Sequence, residues 1–223
     1  FALVWPAFAA TTPPTIEQFF GLPNVRQPRL SPDGKKIAFL FPHEKRMALG
    51  VFDRSTNESR LVIRGEDESI FSFFWKGNDR IVFEGDVSGN ESFFVGSTHL
   101  TGRKVLRLAE SQRVENGITG TIANMVDPFQ ADPSRIVVAA FFADNADTTV
   151  FVGRTAVVAK LNVLTRTRSP VLELKESDRN VRLLTDQSGA LRVRGRLVGP
   201  ELVWEHRADD GATFKEIARH PYH

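Results

Sequence analysis

The stretch Ser31-Pro32-Asp33-Gly34-Lys35-Lys36-Ile37-Ala38-Phe39-Leu40 decides the architecture. It is a polar corner followed at once by an alternating, β-rich run. Pro32 presets φ for the first corner of a type I turn, Asp33 hydrogen-bonds its own backbone, and Gly34 takes the left-handed position that closes the corner. The same plan returns three times: Lys76-Gly77-Asn78-Asp79-Arg80-Ile81-Val82-Phe83-Glu84-Gly85, then Ala131-Asp132-Pro133-Ser134-Arg135-Ile136-Val137-Val138-Ala139-Ala140, then Asp186-Gln187-Ser188-Gly189-Ala190-Leu191-Arg192-Val193-Arg194-Gly195. Asn78-Asp79 and Ser188-Gly189 supply the corner chemistry without the proline. The copies are degenerate in residue identity and alike in layout.

Their spacing, about 45, 55 and 55 residues, is close to the length of one four-stranded β-propeller blade. Each corner then links the inner strand of a blade to the next strand. In the first unit, Ala48 to Asp53 and Arg60 to Arg64 read as further strands joined by Ser55-Thr56-Asn57-Glu58. In the second, Ile70 to Trp75, Arg80 to Asp86, Ser92 to Leu100 and Lys104 to Leu108 give four strands with turn residues at every corner. The third uses Gly120 to Val126, Arg135 to Phe142, Thr155 to Leu164 and Pro170 to Leu174, with a longer loop at Asp144-Asn145-Ala146-Asp147. The fourth uses Val181 to Thr185, Leu191 to Val198, Leu202 to His206 and Phe214 to Ala218. The expected fold is all-β, a partial β-propeller of about four four-stranded antiparallel blades at 25–65, 69–109, 117–175 and 180–220. A propeller closes with four to eight blades, and 15–223 reads as an incomplete one.

Composition agrees. A chain of 223 residues that is 41% hydrophobic and 25% charged can build a sizeable core. The apolar residues lean on Phe (18, against one Tyr), Val and Ile, which suit pleated surfaces better than helices. One short helix is expected at Thr15 to Phe20, with Thr15 as cap, Ile16, Phe19 and Phe20 on one face, and Gly21 and Pro23 ending it. The first residues carry a clue to compartment. Phe1 to Phe8 is apolar and Ala7-Phe8-Ala9 has the small-x-small pattern of a signal-peptidase site, so 1–14 reads as a signal-peptide remnant and a loose mature start. The rival reading is a disordered apolar terminus. No segment approaches 18 apolar residues in a row, so no membrane span is expected.

A formal net charge of +2, with no basic run longer than a pair such as Lys35-Lys36, lacks the clustered stripe of a nucleic-acid footprint. Without cysteine the chain has no disulfide, no thiolate metal site and no cysteine nucleophile. No Gly-x-Ser-x-Gly elbow occurs; Gly96-Ser97 and Ser88-Gly89 come nearest, both in hairpin context. His43, His99, His206, His220 and His223 form no His-x-His or His-x-x-x-His pair, and read as loop histidines. Asp86 to Glu91 has its Gly and acids at the wrong intervals for a calcium loop, and Asp144, Asn145 and Asp147 read as a solvated loop. Trp75 and Trp204 read as core, and Pro128 and Pro133 as stiffeners of the corner at Asp127 to Asp132. The sequence therefore offers no catalytic, cofactor-binding or metal-binding residue.

Three stretches carry a family likeness. Ile16-Glu17-Gln18-Phe19-Phe20-Gly21-Leu22-Pro23 with Arg29 to Phe39 resembles the start of the propeller in bacterial prolyl oligopeptidase family serine peptidases, in the acylaminoacyl-peptidase or dipeptidyl-peptidase-like branch. Phe74-Trp75-Lys76-Gly77-Asn78-Asp79-Arg80-Ile81-Val82-Phe83 is similar to a strand pair of that family, and Leu183 to Val193 to another of its blades. The Ser-Pro-Asp-Gly-Lys corner alone is shared with Tol-type periplasmic propellers. The resemblance implies an exported, periplasmic or secreted serine peptidase whose propeller gates peptide access to a downstream α/β-hydrolase domain in cis. That domain would hold Ser, Asp and His, none of whose motifs match this chain. The alternative is a non-enzymatic Tol-like module that binds a protein partner.

Overall fold

A computed structural model describes residues 24–65, 67–87, 89, 92–102, 104–114, 117–143, 155–174 and 182–222. Every regular element among them is a β-strand. The helix expected at Thr15 to Phe20 lies outside the described residues, as do the apolar start and the Asp144 to Asp147 loop.

The first module is β1 (Arg26–Leu30), β2 (Lys36–His43), β3 (Arg46–Asp53) and β4 (Glu58–Ile63), an antiparallel sheet in chain order. The second is β5 (Glu68–Lys76), β6 (Arg80–Val87), β7 (Ser92–His99) and β8 (Val105–Val114); the third is β9 (Gly117–Asp127), β10 (Arg135–Ala143), β11 (Thr155–Asn162) and β12 (Arg168–Leu174). The fourth is β13 (Arg182–Thr185), β14 (Leu191–Val198), β15 (Glu201–His206) and β16 (Lys215–Pro221). Every pairing is antiparallel and between sequence neighbours, as a meander joined by tight turns requires.

The modules pack face to face through three apolar layers. Ala38, Leu40, Leu49 and Val51 of the first meet Ile70, Phe73, Ile81 and Phe83 of the second. Phe74, Val82, Val95 and Leu108 leave the opposite face of the second for Ile136, Val138, Leu161 and Val163 of the third. Phe129, Val137 and Val158 of the third meet Leu191, with Leu183 and Phe214 packed beside them. Strand alternation makes this possible: Phe73 and Phe74 are consecutive and serve different layers. Burying each such side chain contributes about 1.5–3 kcal/mol.

Small residues let large rings lie flat across the sheets. In the second module Phe83 covers Gly96 and Phe94 covers Gly85, the two rings meeting edge-on at 6.0 Å. A Cβ on Gly96 would sit 2.4 Å from the Phe83 ring.

One feature departs from four separate sheets. β8 runs past its pairing with β7 (Phe94 opposite Glu110), and Ser111 to Val114 then pair with Gly120 to Gly117 of β9. The second and third modules are thereby joined in one eight-stranded hydrogen-bonded order. Gly120 makes the crossover possible: its φ is +92°, and the Glu110 carbonyl oxygen lies 2.4 Å from where a Cβ would project.

Candidate functional site

The four repeated corners lie at equivalent places, between the first and second strand of each module. In the first, Asp33 accepts hydrogen bonds from the Ser31 hydroxyl (2.6 Å) and the Lys35 amide (3.1 Å), and Gly34 has φ +68°. These bonds, the Ser31 hydroxyl's first, hold the Asp33 carboxyl below its usual range. Asp132 repeats the device: burial alone would raise it, but the Ser134 hydroxyl and amide (both 2.8 Å) and Arg135 bring it down to about 2. In the fourth, Asp186 accepts from the Ser188 hydroxyl (2.6 Å), Arg192 Nε (2.6 Å) and the Ala190 amide (3.1 Å), and is held far below the usual carboxylate range.

These corners are linked into a continuous rim. Asn78 Oδ1 accepts from the Asp33 amide at 3.1 Å, tying the first corner to the second. Lys76, only 2% exposed, donates to the Pro128 and Phe129 carbonyls at 2.6 Å each, while Gln130 Nε2 donates to the Trp75 carbonyl at 3.0 Å. Burial pushes the Lys76 ammonium down to about 8, against the upward pull of Asp132 and Asp127. Phe129 carries the rim to the fourth corner. Its ring covers Gly189, where a Cβ would lie 2.7 Å away, and Thr185 donates to Asp127. Phe129 itself has φ +48°, a conformation a bulky residue adopts only when its surroundings impose it. Here the Asp127 carboxylate accepts the Phe129 amide at 2.7 Å, and Lys76 and the Asp132 amide donate to its carbonyl.

A cleft of about 200 Å³ opens beside this rim, lined by Arg80, His99, Thr101, Lys104, Leu106 and Leu164. His99 Nε2 faces Asp79 Oδ2 at 3.2 Å, and the Thr101 amide donates to Nδ1 at 3.3 Å. That donation leaves Nδ1 an acceptor and places the ring proton on Nε2, toward Asp79. The Thr101 hydroxyl also stands 3.3 Å from Nδ1, a nitrogen the amide already occupies, so the trio fastens the β7–β8 turn.

The remaining sequence candidates disperse. His43 lies near Arg64 and Glu44, and His206 ends β15. His220 Nε2 accepts from Trp204 Nε1 at 3.2 Å, while His223 lies outside the described residues. Among the described residues no group of three or more His, Asp or Glu gathers to hold a metal. Trp75 is buried and donates to the Arg29 carbonyl at 2.9 Å, bridging the first two modules. Trp204 is only half-buried and lies over Gly195. Sequence reasoning missed Lys76 and Phe129; its one signal was a lysine, in the repeat's first position, where the first copy has the buried Ser31.

First strand touches first strand at two module boundaries, β1 with β5 and β9 with β13, whereas β9 meets the second module at β7 and β8. Among solved structures, one of two prolyl endopeptidases analysed for inter-domain dynamics in catalysis and specificity is similar over 88% of this chain, with TM-score 0.57 at 9% identity. The β-propeller domain of the Trilobed protease from Pyrococcus furiosus, which has an open velcro topology, is similar over 87%, with TM-score 0.52 at 16% identity. The fold is a β-propeller's. Identities this low establish the fold alone. The chain spans 30% of that prolyl endopeptidase and 56% of the Pyrococcus propeller domain. No family model matches the sequence, and no curated protein matches it. Each module is thus a propeller blade, and among the described residues of these blades no helix is long and apolar enough to cross a membrane.

Proposed function

We propose that these blades belong to the propeller of an exported serine peptidase, periplasmic or secreted, and that they gate peptide access to an α/β-hydrolase domain in cis. The observation that carries the reading is the coincidence of two independent likenesses. The lead-in Ile16 to Pro23 and the Trp75 to Phe83 strand pair resemble the prolyl oligopeptidase family, and the backbone is similar to propellers of a prolyl endopeptidase and of the Trilobed protease. The physical role is steric. A ring of rigid blades narrows the approach to a reactive centre, admitting extended peptides and refusing folded proteins. The rim through Asp33, Asn78, Lys76, Phe129 and Gly189 supports it by fixing the blades against one another.

The Ser31 to Lys35 corner also favours a second reading, a Tol-like periplasmic module whose face binds a protein partner. Sequencing the coding region 3′ of the His223 codon separates the two. A Gly-x-Ser-x-Gly elbow in a strand–helix context supports the peptidase. A frame that stops after two or three more blades supports the binding module.

A further inference from the structure

Blade two breaks its own register on the innermost strand. Ile70 pairs with Gly85 and Ser72 with Glu84, so Phe71 is an extra residue inserted into β5. Ile70 belongs to the layer shared with blade one, whereas Glu84 alternates with Val82 toward blade three. The bulge thus turns the strand over within two residues. It leaves Phe71 44% exposed, its carbonyl held by Gln27 Nε2 of blade one at 2.9 Å. Bulges that re-aim a side chain recur beside binding sites.

Phe93 of β7 meets Phe71 edge-on, centroids 6.3 Å apart at 89°, and is 40% exposed. These strands are not neighbours: β6 runs between them and carries Glu84 and Asp86 on one face, with Asp86 directly opposite Phe93. Asp86 Oδ1 is buried and has no hydrogen-bond partner among the described residues. Burial raises the Glu84 carboxyl above its usual range, against a hydrogen bond from Ser72. Two exposed aromatic faces therefore flank two carboxylates for which no cationic partner is found among the described residues.

Resting on the peptide-gating reading, we propose that Phe71, Phe93, Glu84 and Asp86 form a subsite for the cationic side chain of an extended peptide, a lysine or arginine whose stem lies on the rings and whose charge meets the carboxylates. Charge complementarity selects this occupant. A neutral apolar side chain would cover the rings and leave the Glu84 and Asp86 carboxylates without a counter-charge. An ammonium or guanidinium satisfies both, by cation–π contact and by charge-assisted hydrogen bonding.

Calorimetric titration of the full-length protein with acetyl-Gly-Lys-Gly-amide and with its norleucine isostere tests the proposal, with hydrolysis of a neutral peptide nitroanilide followed in parallel. The lysine peptide is expected to bind about tenfold more tightly than the norleucine peptide. Asp86→Asn, Glu84→Gln and Phe93→Ala should each erase most of that preference, with circular dichroism reporting that the variants are folded. Equal affinity for the two peptides, or a preference unchanged in all three variants, overturns the subsite. Hydrolysis without lysine preference sinks the subsite and leaves the peptidase reading standing. Lysine preference without hydrolysis does the reverse.

Discussion

Single side chains set how this protein responds to pH. Asp33, Asp132 and Asp186 are all held below their unfolded value of 3.8 by corner hydrogen bonds. Their contribution is present above that value and is lost as pH falls toward the folded one, about 2 for Asp132. Asp132→Asn and Asp186→Asn should therefore flatten the fall in denaturation midpoint between pH 4 and pH 2, read by urea unfolding. Lys76 acts at the other end of the scale. Its folded value of about 8 lies below the unfolded 10.5, so between these the unfolded chain holds more protons and stability rises with pH. Lys76→Met should remove that rise while leaving slopes below pH 7 unchanged; the same midpoint series at pH 7–10.5 is the check. Glu205 is buried and accepts from Arg194 at 2.7 Å and Arg196 at 2.9 Å. Glu205→Ala removes the carboxylate they share and should cost about 3 kcal/mol in equilibrium unfolding. The aspartate corners were legible in the sequence because turn chemistry is local. Lys76 was not, since its partners at Pro128 and Phe129 lie more than 50 residues away.

At the level of strands and turns, close approach of backbone to ring governs tolerance. Gly96→Ala drives a methyl into Phe83 on a strand already committed to pairing on both sides, and should cost about 1–3 kcal/mol. Gly189→Ala combines a collision with Phe129 and a φ of +68°, so it should lower the thermal midpoint more than Gly199→Ala, where φ is +60° and the space is open. Differential scanning calorimetry of the pair isolates packing from backbone strain. The strands themselves were readable from alternation and turn residues. Their lengths were less so: β8 continues to Val114 rather than stopping at Leu108, because pairing with β9 extends it. That continuation depends on the Gly120 backbone at φ +92°, and no residue pattern announces it.

Across the molecule, stability is shared among separate inter-blade layers. Leu40 sits in the layer between blades one and two, and Leu191 in that between blades three and four. Leu40→Ala and Leu191→Ala should each cost about 2–5 kcal/mol, and the double variant should equal their sum within about 0.5 kcal/mol, since they share no partner. A larger discrepancy would mean that the rim transmits strain between distant layers. The amino-acid sequence alone determined the four-fold recurrence of corner and strand, the antiparallel order within each blade and the absence of a nucleophile elbow, because these depend on residues close in the chain. The tertiary structure alone decided that Lys76 pins one blade to the next, that Phe129 adopts a left-handed backbone, and that Phe71 and Phe93 meet across the acidic strand. Each of these requires groups far apart in sequence to share a dry or crowded space, and it is desolvation and contact at that distance, not local preference, that fix them.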